Sequence, residues 1–260
     1  MTIGFIGGGN MAKAMIGGIV SKGVARTEEI IVSGPRDHVT DVYKVRFTTD
    51  NAETAAASDV LFLSVKPQMY EAVIAGIKDR VKEGAVIVTI APGKSLGWLR
   101  EQFGRELPMV RTMPNTPAMV GAGMTAVCLN EFVTEEQKET VLEIIGSFGK
   151  AEIIPEKLMD VVPAVSGSSP AYVYILIEAM ADAAVADGMP RAQAYRFAAQ
   201  AVLGSAQMVL ESGLHPGALK DMVCSPAGTT IQAVRMLEKN GFRSAVIEAM
   251  LACTEKSRQL

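Results

Sequence analysis

Gly7-Gly8-Gly9-Asn10-Met11-Ala12 stands directly after the apolar run Ile3–Ile6 and directly before a helical pattern. This is G-x-G-x-x-A at a strand–turn–helix junction, a spacing that brings backbone N–H groups against a pyrophosphate. Gly7 permits the tight turn, Gly9 lets the backbone approach the phosphates, and Ala12 allows close packing of helix on strand. The first amides of the helix then face the anion. Gly-rich turns are common by themselves; the flanking strand and helix make the dinucleotide reading specific.

The next apolar run ends Ile31-Val32-Ser33-Gly34-Pro35-Arg36. It lacks the Asp or Glu that holds the ribose hydroxyls in sites preferring NAD. Ser33 and Arg36 suit a 2′-phosphate instead, Arg36 through paired charge-assisted hydrogen bonds. The alternative is an ordinary surface arginine. On this argument NADPH is preferred, with NADH as the lesser cofactor. Lys66, in Val65-Lys66-Pro67, closes a further strand at the carboxyl edge, where ligands sit in such sheets, or is simply a solvated lysine.

Two later stretches are rich in Gly, Pro, Ser and Thr without reading as linkers. Arg111-Thr112-Met113-Pro114-Asn115-Thr116-Pro117 leaves another strand at the same edge. Ser225-Pro226-Ala227-Gly228-Thr229-Thr230-Ile231 leads into a helix. Backbone amides at a helix start, with adjacent hydroxyls, could bind a small carboxylate without any arginine. The competing reading is plain helix capping by Ser225 or Thr229.

The elements that must carry these residues fall into two halves. Up to about residue 155, strand candidates at Thr2–Ile6, Glu29–Ser33, Arg46–Thr48, Val60–Val65, Ala85–Ile90 and Met109–Arg111 alternate with helical segments. The helices include Met11–Ser21, Met69–Val81 and Leu96–Phe103. This spacing predicts a Rossmann-like doubly wound, mainly parallel α/β sheet. Gly121–Leu129 and Ala151–Ile154 read as further strands around a helix, Thr134–Ser147, opened by a capping box of Thr134 and Gln137.

After Pro155 the strand signals stop. Ser168-Ser169-Pro170 reads as a capped helix start, running to Asp187 with Gly188 as its stop. Further helices follow from Met189-Pro190 to Ser212-Gly213, from His215-Pro216, from Gly228 to Glu238 and from Gly241 to Lys256. The expected domains are therefore residues 1–155, holding the dinucleotide, and 156–260, all-helical. The helix Pro170–Asp187 carries charge only at Glu178, Asp182 and Asp187. A helix apolar nearly all round is a buried one, and its few neighbours cannot cover it, so a second subunit is expected to.

A net charge of −3 with 49% hydrophobic and 20% charged residues describes a globular chain with no basic footprint for nucleic acid. No secretory pattern precedes the first strand, and Thr112–Asn130, although uncharged, is broken by Pro and Gly, so neither export nor a membrane span is expected. Cys128, Cys224 and Cys253 are spaced like reduced thiols of the cytoplasm. His38 reads as exposed and His215 as a cap or spacer. No His/Cys/Asp cluster has metal-ligand spacing, so no metal is expected.

Taken in order, Gly4-Phe5-Ile6-Gly7-Gly8-Gly9-Asn10-Met11, Ser64–Pro67, Arg111–Pro117, Ser166-Gly167-Ser168-Ser169-Pro170-Ala171-Tyr172, His215–Asp221, Ser225–Ile231 and Gly241-Phe242-Arg243 resemble the pyrroline-5-carboxylate reductases over essentially the whole chain. The resemblance implies NADPH-dependent reduction of a cyclic imino acid to proline, by homodimers that assemble into larger rings. It places Gly7, Gly9, Asn10 and Met11 at the pyrophosphate, and Ser33 and Arg36 at the adenosine phosphate. Asn51, Lys66 and Ala91 fall on the adenosine or ribose side, with Met113, Pro114 and Asn115 near the nicotinamide. Gly228, Thr229 and Thr230 bind the substrate carboxylate, Ser225 shapes that loop, and Thr230 stands beside the ring nitrogen. The chain departs from the family at Ala227 and Ser169, where Gly is common, and at Thr229 and Met222.

Such chemistry asks little of acid–base side chains, since a protonated imine is already electrophilic. Positioning supplies most of the catalysis, with Thr230 orienting the ring nitrogen. A β-hydroxyacid dehydrogenase is the nearest competitor, but it wants a Lys where Ser166–Tyr172 has none. A non-catalytic NADPH sensor would not need the Ser225–Thr230 loop.

Overall fold

Ile3–Ile6 (β1), Ile30–Ser33 (β2), Val60–Leu63 (β4) and Val86–Thr89 (β5) are buried at every position, as a parallel sheet covered on both faces requires. They belong to an eight-stranded sheet in a computed structural model that describes residues 1–259. The other strands are Arg46–Thr48 (β3), Met109–Met113 (β6), Gly123–Leu129 (β7) and Gly149–Ile153 (β8). The order is β3-β2-β1-β4-β5-β6-β7-β8. The first six run parallel in the doubly wound Rossmann order, with the reversal at β1/β4 that opens a ligand crevice. Only the β6–β7 pair is antiparallel.

Period-two alternation sends the strand side chains to two cores. One face, with Phe5, Phe62, Val88 and Val110, packs on the helices Asn10–Lys22 (α1) and Glu135–Gly146 (α6) and on Phe148. Phe5 and Phe62 stack there at 4.8 Å between ring centroids. The other face, with Leu61, Leu63, Ile87 and Met109, packs on Tyr70–Ile77 (α4) and Leu96–Phe103 (α5). Thr134 caps α6 in the expected reciprocal box: the Gln137 N–H donates to its hydroxyl at 3.2 Å, and its own N–H donates to Gln137 Oε1 at 2.9 Å.

The strands are mostly shorter than the apolar runs suggest, since Val65, Ile90 and Ile154 pack against a core from positions beyond their strand ends. Two helices escaped the sequence reading: Thr40–Tyr43 (α2) and Asn51–Ala57 (α3). The second is short and alanine-rich, and is opened by Asp50 accepting from the Ala52 N–H at 2.8 Å. The long helix after residue 155 does not begin at a hydroxyl cap either. A π-helical turn, Pro163–Gly167, with Ser168 N–H donating to Pro163 O, runs into Ser169–Ala186 (α7).

The chain divides into two compact units, residues 1–168 with the end of the chain from Cys253, and Ser169–Ala252. The division falls after the expected boundary at residue 155 because Glu156–Gly167 is held on the sheet, through Arg111, Met159 and Asn115. Residue 260, the end of the second expected domain, lies outside the described residues. Within the second unit α7 pairs with Arg191–Ser212 (α8), followed by Pro216–Val223 (α9), Thr229–Lys239 (α10) and the start of Phe242–Ser257 (α11). Its buried side chains are three alanines, Ala181, Ala194 and Ala198, while Tyr174, Ile175, Phe197, Leu203 and Leu251 are all more than half exposed.

Candidate cofactor and substrate sites

Gly7 leaves β1 at φ +106°, and a β-carbon there would lie 2.7 Å from the Ser64 carbonyl oxygen. Only glycine fits, because β1 and β4 close together at that point. Gly9 is the opposite case: its missing β-carbon would meet nothing within 4 Å, leaving a cradle beside the start of α1. No side chain caps that helix, and its first turn holds no acid. Free amides, open space and a helix dipole together make an anion seat. Asn10 is exposed, Met11 is half-buried, and Ala12 is fully buried in the core beneath.

At the end of β2, Ser33 is fully buried and its hydroxyl has no hydrogen-bond partner. Arg36 is exposed and makes no ion pair among the described residues. Asp37 does not compete for it, since its carboxylate accepts from the Val39 and Thr40 amides at 2.9 and 3.0 Å. Asn51 starts α3 and is half-buried, while Lys66 is exposed after β4. Ala91 is buried just beyond β5, its N–H directed at the Thr89 hydroxyl at 3.4 Å. All of these, Asn51 beyond β3 included, stand at or just after a strand's carboxyl end, the edge where a dinucleotide binds.

Met113 ends β6, and Pro114 is buried behind it. Asn115 is 8% exposed and its amide is held at both ends: Nδ2 donates to the Ser166 carbonyl at 2.9 Å, and Oδ1 accepts from Met124 N–H at 2.9 Å. Its side chain braces the loop after β6 and keeps one N–H and one oxygen lone pair beyond these bonds. Arg111 on the same strand is buried and pairs with Glu156 at 3.3 Å and Asp160 at 3.0 Å.

In the second unit, Pro226 and Ala227 form a tight turn closed by Gly228 N–H donating to Ser225 O at 3.0 Å. Ala227 sits at φ +57°, a left-handed conformation that glycine adopts more readily than alanine. Gly228 is the N-cap of α10, and no side chain caps the helix. The capping alternative for Ser225 and Thr229 is therefore not realised, and the amides at Thr229 and Thr230 begin the helix without a side-chain acceptor. Thr229 is exposed and Thr230 half-buried. His215 is the cap it was read as, its Nδ1 accepting from Gly217 N–H at 3.0 Å, and His38 is exposed.

Sequence reasoning left three residues of this region without a role. Ser64 donates toward the carbonyls of Ile6 and Gly7 at 3.1 and 2.8 Å, tying the glycine turn to β4. Tyr70 and Thr89 form a buried hydroxyl pair between β4 and β5. A tyrosine among the apolar residues of a short helix was the only signal for the pair.

Residues 156–260 match the family model for pyrroline-5-carboxylate reductase dimerisation, and residues 2–93 match that for NADP oxidoreductase, coenzyme F420-dependent. A pyrroline-5-carboxylate reductase of Escherichia coli is 52% identical, over 99% of this chain and 97% of its own length. One from Arabidopsis thaliana is 39% identical, over 99% and 95%. The crystal structure of Plasmodium falciparum pyrroline carboxylate reductase with NADP bound superposes with a TM-score of 0.92 at 35% identity, covering 100% of this chain and 97% of that one. With relatives this similar over nearly its whole length, the chain belongs to the pyrroline-5-carboxylate reductase family.

Proposed function

We propose that this chain reduces Δ1-pyrroline-5-carboxylate to proline with NADPH, with NADH as a poorer substitute. The observation that carries the reading is the presence in one chain of the family of two uncapped helix starts behind glycine turns, at Gly9 and at Gly228. One suits a pyrophosphate and the other a small carboxylate. The residues fit the cofactor: the open cradle at Gly9 takes the pyrophosphate, and unpaired Arg36 takes the 2′-phosphate above the orphaned Ser33 hydroxyl. Asn51, Lys66 and Ala91 hold the ribose side, while Met113, Pro114 and Asn115 border the nicotinamide. When bound, NADPH supplies the hydride.

The chain's own task is orientation. Gly228, Thr229 and Thr230 hold the carboxylate through amides and hydroxyls, Ser225 sets the turn, and the Thr230 hydroxyl hydrogen-bonds the ring nitrogen. A threonine is too weak an acid to be the sole proton donor, so its contribution is geometric. Functionally, residues 1–155 form the cofactor domain and 156–260 the substrate and dimerisation domain, a reading supported by the family model that begins at residue 156. Pro163–Ala186 is long and apolar enough to cross a membrane, with a mean hydropathy of 1.2. The match of residues 156–260 to a dimerisation family, together with the exposed apolar side chains along this helix and its neighbours, instead supports a homodimer of intertwined helices; the ring of dimers and the cytoplasm extend that reading by resemblance to the family.

The test is to mix the protein with NADPH and racemic Δ1-pyrroline-5-carboxylate and follow the nicotinamide absorbance. Oxidation with proline appearing supports the reading; tight NADPH binding without turnover overturns it in favour of a sensor. Thr230→Ala is expected to slow hydride transfer while leaving the NADPH KM unchanged. A full rate in that variant refutes the orienting role.

A further inference from the structure

The ladders of β4, β5 and β6 end before the loops that face the crevice, and hydroxyl groups carry the cross-strand bonding onward. Tyr70, the first residue of α4, is 1% exposed. Its hydroxyl donates to the Leu63 carbonyl at the end of β4. It accepts from Thr89 Oγ1 at 2.9 Å and lies 3.4 Å from the Ile90 N–H, both at the end of β5. One donor and two acceptor positions are all a phenol has, so the group is saturated. Thr89 Oγ1 lies 3.4 Å from the Ala91 N–H, and the Thr112 hydroxyl of β6 donates to the Thr89 carbonyl at 2.8 Å. On the other side of β4, Ser64 ties the glycine turn. The bonds thus run from Gly7 to Thr112 along the sheet edge, with Tyr70 joining the β4 side to the β5 side.

We propose that Tyr70 is a positioning residue of the cofactor site, which fixes the spacing between the loop after β4, carrying Lys66, and the loop after β5, carrying Ala91. This rests on the cofactor reading given above. Without the phenol oxygen, Leu63 O and Thr89 Oγ1 lose the partner they share, and beyond the last ladder pair, Leu63 with Thr89, the two loops lose the bond that joins them. Burial pushes the Tyr70 hydroxyl up to about 12, so it remains a donor throughout any assay range.

The experiment compares full-length wild type with Tyr70→Phe, Thr89→Val and Thr89→Ser, measuring dissociation constants for NADPH and NADH and the KM for the imino acid. Tyr70→Phe and Thr89→Val are expected to weaken both cofactors by about tenfold, equally, with kcat at saturation and the imino acid KM little changed. Thr89→Ser is expected to restore binding, and the double variant Tyr70→Phe/Thr89→Val to lose less than the sum of the two single ones, because both remove the Tyr70–Thr89 bond. Equal loss for the two cofactors separates this effect from removal of Arg36, which penalises NADPH alone. Lower melting temperatures with unchanged cofactor dissociation constants would show that Tyr70 serves only the core. If Tyr70→Phe does not fold, the Thr89→Val and Thr89→Ser pair decides on the same criteria. Wild type that binds neither cofactor overturns the cofactor reading together with this one, whereas failure of the variants alone overturns only the role of Tyr70.

Discussion

Replacing Gly18 by alanine sets two effects of opposite sign against each other. Gly18 lies in the middle of α1, where alanine is favoured over glycine by about 0.5–1 kcal/mol. The new β-carbon, however, would stand 2.6 Å from Phe148 Cβ and 3.0 Å from both Phe148 Cα and the Ser147 carbonyl oxygen. Carbon contacts are comfortable at about 3.5–4.0 Å, so something must move by close to 1 Å. The obstacle is partly backbone, and it is anchored, since Phe148 is 1% exposed and its carbonyl accepts from Gly123 N–H at 3.0 Å. Overpacking of this kind costs about 1–3 kcal/mol. The clash therefore wins, by up to about 2.5 kcal/mol, which for a unit of this size lowers Tm by up to roughly 10 °C. Gly76→Ala is the control: it is exposed near the end of α4 with nothing within 4 Å, and should gain about 0.5 kcal/mol. Gly17→Ala, facing only the Tyr43 ring at 3.3 Å, should be close to neutral. All would be melted at one protein concentration, because assembly raises apparent stability. Since α1 begins at the pyrophosphate cradle, Gly18→Ala should also raise the NADPH KM and spare the imino acid KM. If Gly18→Ala raises Tm as Gly76→Ala does, the close-approach argument is wrong.

Arg36→Ala should raise the NADPH KM about 10- to 100-fold, the value of a charge-assisted contact of about 1.5–3 kcal/mol, and leave the NADH KM alone; equal losses for both would remove the phosphate assignment. Tyr70 gives a pH signature, because its pKa rises from 10.0 to about 12 on folding. The neutral form is the one stabilised, so the contribution is complete below pH 10 and lost between about pH 10 and 12. The difference between wild type and Tyr70→Phe in urea should shrink across that window, by at most about 3 kcal/mol. Ala227→Gly relieves a left-handed alanine worth about 1–2 kcal/mol but adds about 0.5–1 kcal/mol of chain entropy. Stability should hold or rise slightly while the imino acid KM increases a few-fold through a looser turn, and an unchanged KM would show that the turn does not shape the pocket.

What could be read from the sequence was whatever depends on local rules. The strands at Ile3, Ile30, Val60 and Val86 are buried on both faces and therefore read as unbroken apolar runs. Thr134 and Gln137 need only each other to announce a helix. Helix α3 carries a local cap at Asp50, with Glu53 three residues on, but Asn51–Ala57 offers neither amphipathic length nor a strong apolar stripe to support it. The start of α7 at Ser169 falls where the sequence places it, but without the expected hydroxyl cap. Ser168 and Ser169 look like caps, but their place is decided by the π turn, which Asn115 holds from far away in sequence through Ser166.

The same contrast runs through the site. Gly7 and Gly9 look equivalent in the motif, yet one is fixed by a carbonyl 2.7 Å away and the other by empty space. The first glycine serves the fold and the second leaves room for a ligand, so substituting them should fail in different ways. Asn115 is the reverse case, a residue named for the ligand whose side chain also braces the protein at both ends of its amide. A motif therefore marks where backbone must come close, and only the partners of each side chain tell whether it touches the ligand or holds what does. Tyr70 lies in no glycine or Ser/Thr motif, and it joins the loops on the two sides of β4 and β5. Geometry of this kind depends on where strands β4 and β5 end relative to one another, which no local pattern of residues records.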